Sequence, residues 1–158
     1  MKTAAVLTIS DSCSRGERVD LSGPATADVL RQNGFDVQHQ EIVSDDRPAI
    51  EDALVRLAGQ VQLLVTTGGT GIASRDVTPE ATRAMCSTLI DGIPERIRAV
   101  GSAQTPLAIL SRGLCGVRGS CLILNLPGSP NGAKQSLQAV ITVLPHAIEL
   151  LAGNTRHE

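Results

Sequence analysis

Aromatic residues are almost missing from this chain. Its 158 residues include no Trp, no Tyr and a single Phe, Phe35, although 42% are hydrophobic. The core must therefore be built from Leu, Val, Ile and Ala. Binders of single-stranded nucleic acid need aromatic faces on which bases stack, so that class loses its support. An excess of one charge is lacking too. Lys and Arg number 14 against 16 Asp and Glu, for a formal net charge of −2, and the two signs are interleaved. With no basic tract or stripe, no duplex DNA partner is expected. Long apolar runs are also absent. None approaches the roughly 18 residues of a membrane helix, and the apolar start of "MKTAAVLTISDS" is too short for a signal peptide. The expectation is a cytoplasmic protein with no membrane partner. Zinc-type spacing is missing as well. Cys13, Cys86, Cys115 and Cys121 form no CxxC and no Cys/His cluster, and read as reduced, structural thiols. His39, His146 and His157 are scattered. No Ser-His-Asp order can be defended, and His146 reads as a structural or surface residue of the last helix.

What the chain does have is alternation. Its length fits one domain, 1–158, with room for a real core. "TAAVLTIS" (3–10) is an apolar run typical of a strand buried on both faces. Ser22 reads as the N-cap of a helix with Pro24 in its first turn, stopped by "NG" at 33–34. "FDVQHQEIV" (35–43) alternates, which suits a strand nearer a sheet edge. "DDRPAIEDALVRLAG" (45–59) is a second helix. "VQLLVTT" (61–67) is a third strand, and Thr78-Pro79-Glu80 opens another helix with Thr78 as its cap. A shorter helix restarts at Pro94, and "TPLAILSR" (105–112) is ambiguous. Residues 120–125 form a strand, and 131–151 a helix kinked at Pro145. Strands alternating with helices argue for an α/β fold with a mostly parallel, doubly wound sheet covered on both faces.

In such sheets ligands bind beyond the carboxyl ends of the strands. The residues there are "SDS" (10–12), "SDD" (44–46), "TTGGTG" (66–71) and "LPGSP" (126–130). Small, polar and acidic residues at four strand ends have the composition of a rim that handles phosphate and metal. Successive backbone N–H groups of Gly68, Gly69, Thr70 and Gly71 can form an anion-binding nest; the plainer alternative is a tight strand-to-helix turn. The loop is no P-loop, because no Lys follows. It is no dinucleotide fingerprint either, because Ser74 stands where the third glycine belongs.

Asp45 lies at the end of the second strand and Asp76 just past the glycine loop, so the two could converge on Mg²⁺, which takes a few carboxylates together with phosphate oxygens and water. Alternatively Asp45 or Asp46 caps the second helix and Asp76 the third. Arg75 and Arg112 have the fork that grips phosphate, or are solvated surface residues. Ser111 offers a hydroxyl for a phosphate or substrate, or caps a loop. The Pro127-Gly128-Ser129 turn presents backbone groups to the same rim, or is a plain type II turn.

Taken in order, "SD" (10–11), "VSDDRPAI" (43–50), "TTGGTGIASRDVTPEAT" (66–82), "PERIR" (94–98), "LSR" (110–112) and "NLPGSP" (125–130) resemble the MogA/MoaB family of molybdenum cofactor biosynthesis, also seen in the G domains of gephyrin. The resemblance covers essentially the whole chain; Ser44 departs from a common Pro. It implies a three-layer α/β/α sandwich and a homotrimer, in some members a dimer of trimers. It implies Mg²⁺-dependent transfer of AMP from ATP to the phosphate of molybdopterin, with release of pyrophosphate and delivery of the product to a separate molybdenum insertase. A non-catalytic, molybdopterin-binding or scaffold protein of the same fold is the alternative. On the family's pattern the functional acids and metal ligands fall on Asp45 and Asp76. The loop Gly68–Gly71 holds the nucleotide, and Ser111 meets the pterin. Ser10, Asp11, Arg75, Arg112 and the turn of Pro127, Gly128 and Ser129 line the pocket.

Overall fold

The apolar run that opens the chain becomes strand β1 (Lys2–Ile9), whose last six residues are all buried. The computed structural model describes residues 1–155; His157 lies outside them. β1 leads through a short helix α1 (Asp11–Ser14) and α2 (Ser22–Gln32) to β2 (Phe35–Val43). Helix α3 (Arg47–Ala58) returns the chain to β3 (Leu63–Thr67). Then follow α4 (Thr78–Met85), β4 (Thr88–Leu89), α5 (Gly92–Ser102), a 3₁₀ turn (Pro106–Leu110), β5 (Cys115–Arg118), β6 (Cys121–Leu126), α6 (Pro130–Val140) and α7 (Leu144–Leu151).

The strands form one sheet in the order β2-β1-β3-β6-β5-β4. The first four are mutually parallel, and β5 and β4 add an antiparallel edge. Side chains alternate across a strand, and here the alternation divides the core in two. Ala4, Val6, Leu63, Val65, Leu122 and Leu124 pack under α2, α5, α6 and α7. Ala5, Leu7, Ile9, Leu64 and Ile123 pack under α3 and α4. This is the expected three-layer sandwich. β2 buries only Phe35 and otherwise alternates exposed with half-buried residues, as an edge strand does.

Several local expectations need correction. Ser22 is not the cap of α2. Asp20 takes that role by accepting the Gly23 N–H at 3.0 Å, which leaves the Ser22 hydroxyl to pair with Thr67 Oγ1 at 2.9 Å. Thr78 lies inside α4, behind Val77 at the cap position. Its hydroxyl donates instead to Gly68 O at 3.0 Å. The tail is two helices rather than one kinked at Pro145. The chain breaks at 141–143, and Pro145 sits in the first turn of α7, where its missing N–H costs nothing. Strands β4 and β5 were not expected. The β5–β6 hairpin turns through Gly119 and Ser120, Gly119 having φ +59°, and this two-residue signal was present in the sequence; β4 is too short to leave one. All four cysteines are free thiols, and His146 is exposed on α7.

Candidate active site

Because β2, β1, β3 and β6 run parallel, their carboxyl ends meet on one edge. From β1 the chain steps outward to β2, then crosses back to β3 on the other side. The crevice of the fold therefore opens between β1 and β3, at the glycine loop. The loop fits there because it lacks side chains. Gly68 and Gly69 have φ of +100° and +68°. A Cβ on Gly68 would run into the Ile9 carbonyl, and one on Gly69 would strike the Thr78 hydroxyl and lie 3.1 Å from Asp45 Oδ1. The β6 turn backs directly onto the loop, since a Cβ on Gly128 would lie 3.2 Å from Gly68 Cα.

The acids have distinct environments. Asp46 caps α3, accepting the Ala49 N–H at 3.1 Å, so Asp45 is released from that role. Asp45 accepts the Asp11 N–H, and Asp11 accepts the Asp45 N–H. Asp11 also receives the Arg75 fork, at 3.0 Å from Nε and 2.9 Å from Nη2. This bond holds the Asp11 carboxyl below its ordinary pKa. Among the described residues Asp45 has no such partner. Burial, opposed by the Asp11 N–H and reinforced by the charges of Asp11 and Asp76, pushes its pKa up. Asp76 does not cap α4; its Oδ2 accepts the Ala73 N–H at 3.0 Å and closes the loop on itself.

Among the described residues no three acidic, His or Cys side chains gather into a ready-made metal cage. Mg²⁺ does not require one, since it is bound through one or two carboxylates plus phosphate oxygens and water. A half-buried Asp45 repelled by two neighbouring carboxylates is a donor that a cation would relieve.

Arg112 faces the protein rather than open space. Its N–H donates to Thr70 O and its Nε to Gly71 O, both at 2.8 Å; Nη2 donates to Asp76 O at 2.8 Å, and Nη1 is paired with Glu80. It clamps the loop from Thr70 to Asp76. Ser111 Oγ accepts the Gly113 N–H at 3.3 Å. Ser10 Oγ accepts the Cys13 N–H at 3.2 Å and so caps α1. Ser129 likewise caps α6 through the Gly132 N–H at 3.1 Å.

Two cavities flank the loop. One, of about 490 Å³, is bordered by Gly69, Thr70, Gly71, Asp76, Ser111 and the Pro127–Ser129 turn. The other, of about 410 Å³, lies over the ends of β1 and β3, bordered by Ser10, Gly68, Gly69, Gly128 and Ser129. They share Gly69, Gly128 and Ser129. Asp11, Asp45, Arg75 and Arg112 stand behind these walls rather than in them. Sequence reasoning missed three residues here. Asp20 ties Thr8 (2.7 Å) to the start of α2 beside the smaller cavity. Asn125, only 3% exposed, donates to Thr66 Oγ1 and Thr82 Oγ1 and accepts the Leu114 N–H. Arg98, from the quoted "PERIR", borders the larger cavity.

Residues 5–146 match the family described as "Probable molybdopterin binding domain". The chain is 43% identical over 154 residues to a molybdopterin adenylyltransferase of Helicobacter pylori, covering 94% of this chain and 87% of that one. To the molybdopterin adenylyltransferase of Escherichia coli K12 it is 34% identical over 165 residues, covering 94% and 84%. The crystal structure of the molybdopterin biosynthesis enzyme MoaB from Thermus thermophilus superposes with a TM-score of 0.91, at 48% identity over 97% of this chain and 98% of that one.

Proposed function

The chain belongs to the molybdopterin-binding domain family of molybdenum cofactor biosynthesis, and from that premise we propose that it is a molybdopterin adenylyltransferase acting as a single domain. One observation carries the reading: two cavities of substrate size meet at one glycine ridge, beside Asp76 and in front of Asp45. That arrangement suits joining two ligands end to end.

In this reading the cavity over β1 and β3 takes ATP, and the cavity beside Ser111 takes molybdopterin. An oxygen of the molybdopterin phosphate forms the new bond to the α-phosphorus of ATP. The bond to the bridging oxygen breaks, and pyrophosphate leaves with the electron pair. A phosphate nucleophile is already ionised near neutral pH, so no side chain need remove a proton. What the chain supplies is placement and electrostatics. The Gly68 N–H is taken by Leu126 O at 3.0 Å, so the N–H groups of Gly69, Thr70 and Gly71 face the phosphates, and Arg112 keeps the loop and Asp76 in register. Asp45 and Asp76 would hold Mg²⁺, which when bound offsets charge on the triphosphate. Ser10, Asp11, Arg75 and the 127–129 turn complete the rim, Arg75 by neutralising Asp11.

The homotrimer, the cytoplasmic location and the transfer of product to a separate insertase belong to the same proposal. Among the described residues no helix is long and apolar enough to cross a membrane. Incubation with ATP, Mg²⁺ and molybdopterin is the test. Stoichiometric pyrophosphate release and an adenylated pterin are expected; binding of molybdopterin without turnover would sink the catalytic reading. Light scattering checks the trimer.

A further inference from the structure

A reaction that joins two anions needs cations, and the arginines nearest the glycine loop are already committed. Arg75 closes its fork on Asp11. Arg112 is spent on two carbonyls and Glu80. Arg98 is different. It lies on α5 and, among the described residues, is the sole cationic side chain bordering the 490 Å³ cavity, where Asp76 is the sole acid. Its Nη1 donates to Ser111 O at 3.3 Å and Gly113 O at 3.2 Å. Both partners are neutral. They fix the direction of the guanidinium without cancelling its charge, and among the described residues no carboxylate lies within ion-pair distance of it. With Nη1 occupied, Nε and Nη2 remain. That edge of an arginine matches two oxygens of a phosphate.

We propose that Arg98 receives the phosphate of molybdopterin, as the cation of the cavity that holds it. The identity of the ligand rests on the adenylyltransferase reading; the placement of an unneutralised, propped guanidinium at this cavity does not. The same two carbonyl contacts tie Arg98 to the segment carrying Ser111. The side chain that grips the phosphate and the segment that meets the pterin are thereby held at one spacing.

The test measures equilibrium binding of molybdopterin to the full chain, with inorganic phosphate as competitor, for wild type, Arg98→Gln and Arg98→Lys. ATP binding and pyrophosphate release are followed in parallel. Losing a charge-assisted, two-pronged contact should weaken molybdopterin binding by roughly 10- to 100-fold in Arg98→Gln. Competition by inorganic phosphate should vanish, and ATP affinity should hold within about twofold. Arg98→Lys should recover part of the loss, since the charge remains and the fork does not. Unchanged molybdopterin affinity in the folded glutamine variant overturns the proposal. So does a loss of affinity with phosphate competition intact, which would make Arg98 only a prop for Ser111. If Arg98→Gln does not fold, competition is read on Arg98→Lys, where about a tenfold weakening supports the assignment and an unchanged value defeats it. Failure of the wild type to release pyrophosphate counts against adenylyl transfer and leaves the binding comparison to decide Arg98.

Discussion

Asp11 and Asp45 hold each other's main chain: the Asp11 N–H donates to Asp45 Oδ2 at 2.9 Å, and the Asp45 N–H donates to Asp11 Oδ1 at 3.0 Å. The exchange locks the ends of β1 and β2 together at the rim, yet the two acids differ in charge balance. Arg75 pairs with Asp11, whereas among the described residues Asp45 has no ion-pair partner. The fold therefore carries an uncompensated, half-buried carboxylate beside its glycine loop, a cost that function explains better than stability does.

Asp45→Asn should make the protein more stable at neutral pH and abolish turnover. The folded pKa of Asp45 lies above its ordinary value of 3.8. Its contribution to stability is thus fully present below pH 3.8 and is lost as the pH rises through the raised folded value. Asn keeps an acceptor for the Asp11 N–H and carries no charge. Thermal unfolding from about pH 3 to pH 8 should show the two proteins converging in acid and separating above it. Mg²⁺ with ATP should narrow the gap. A variant less stable than wild type at pH 7 counts against this account.

Gly69→Ala should damage both fold and site. The position has φ +68°, and the new methyl would meet the Thr78 hydroxyl and press on Asp45. The expected cost is about 1–3 kcal/mol, read from urea unfolding. Turnover should fall much further than that cost implies, because Asp45 moves. Activity within about twofold of wild type would contradict the crowding.

Arg112→Lys should behave nearly as badly as Arg112→Ala. A single ammonium cannot bridge the carbonyls of Gly71 and Asp76 and the Glu80 carboxylate as the guanidinium does. A drop in kcat on the order of 10²-fold is expected for both, with KM for molybdopterin changed little. A large rise in KM with kcat intact would instead put Arg112 on the substrate.

Asn125→Leu removes a buried amide that makes three side-chain bonds, to Thr66, Thr82 and the Leu114 N–H. The Leu114 N–H and both hydroxyls lose that partner. Destabilisation of roughly 2–4 kcal/mol is expected by denaturant titration.

The layers of this fold were legible because burial writes itself into the residues. "TAAVLTIS" and "VQLLVTT" are apolar on both faces, and they occupy the centre of the sheet, while alternating "FDVQHQEIV" lies at its edge. The rim was legible for the same reason, since parallel strands share a carboxyl edge. What each rim residue does was less so. Whether Arg75 and Arg112 meet a ligand or the protein depends on Asp11, 64 positions away, and Glu80, 32 away. No local pattern carries that information. The caps failed similarly: Ser22 looks like a cap and loses that role to Asp20, and Thr78 lies inside α4 with its hydroxyl donated to the Gly68 carbonyl ten positions back.

The parallel pairing of β3 with β6 also sets an order of events. Gly68 cannot back onto Gly128 until the chain between them has made its whole excursion through α4, β4, α5 and β5. Parallel, non-local pairings form slowly. A growing polypeptide that has just completed β3 carries Asp11 and Asp45 but not yet Asp76, and only part of either cavity's wall. Biosynthetically, the capacity to bind is a property of the finished molecule, and it emerges after most of the secondary structure exists.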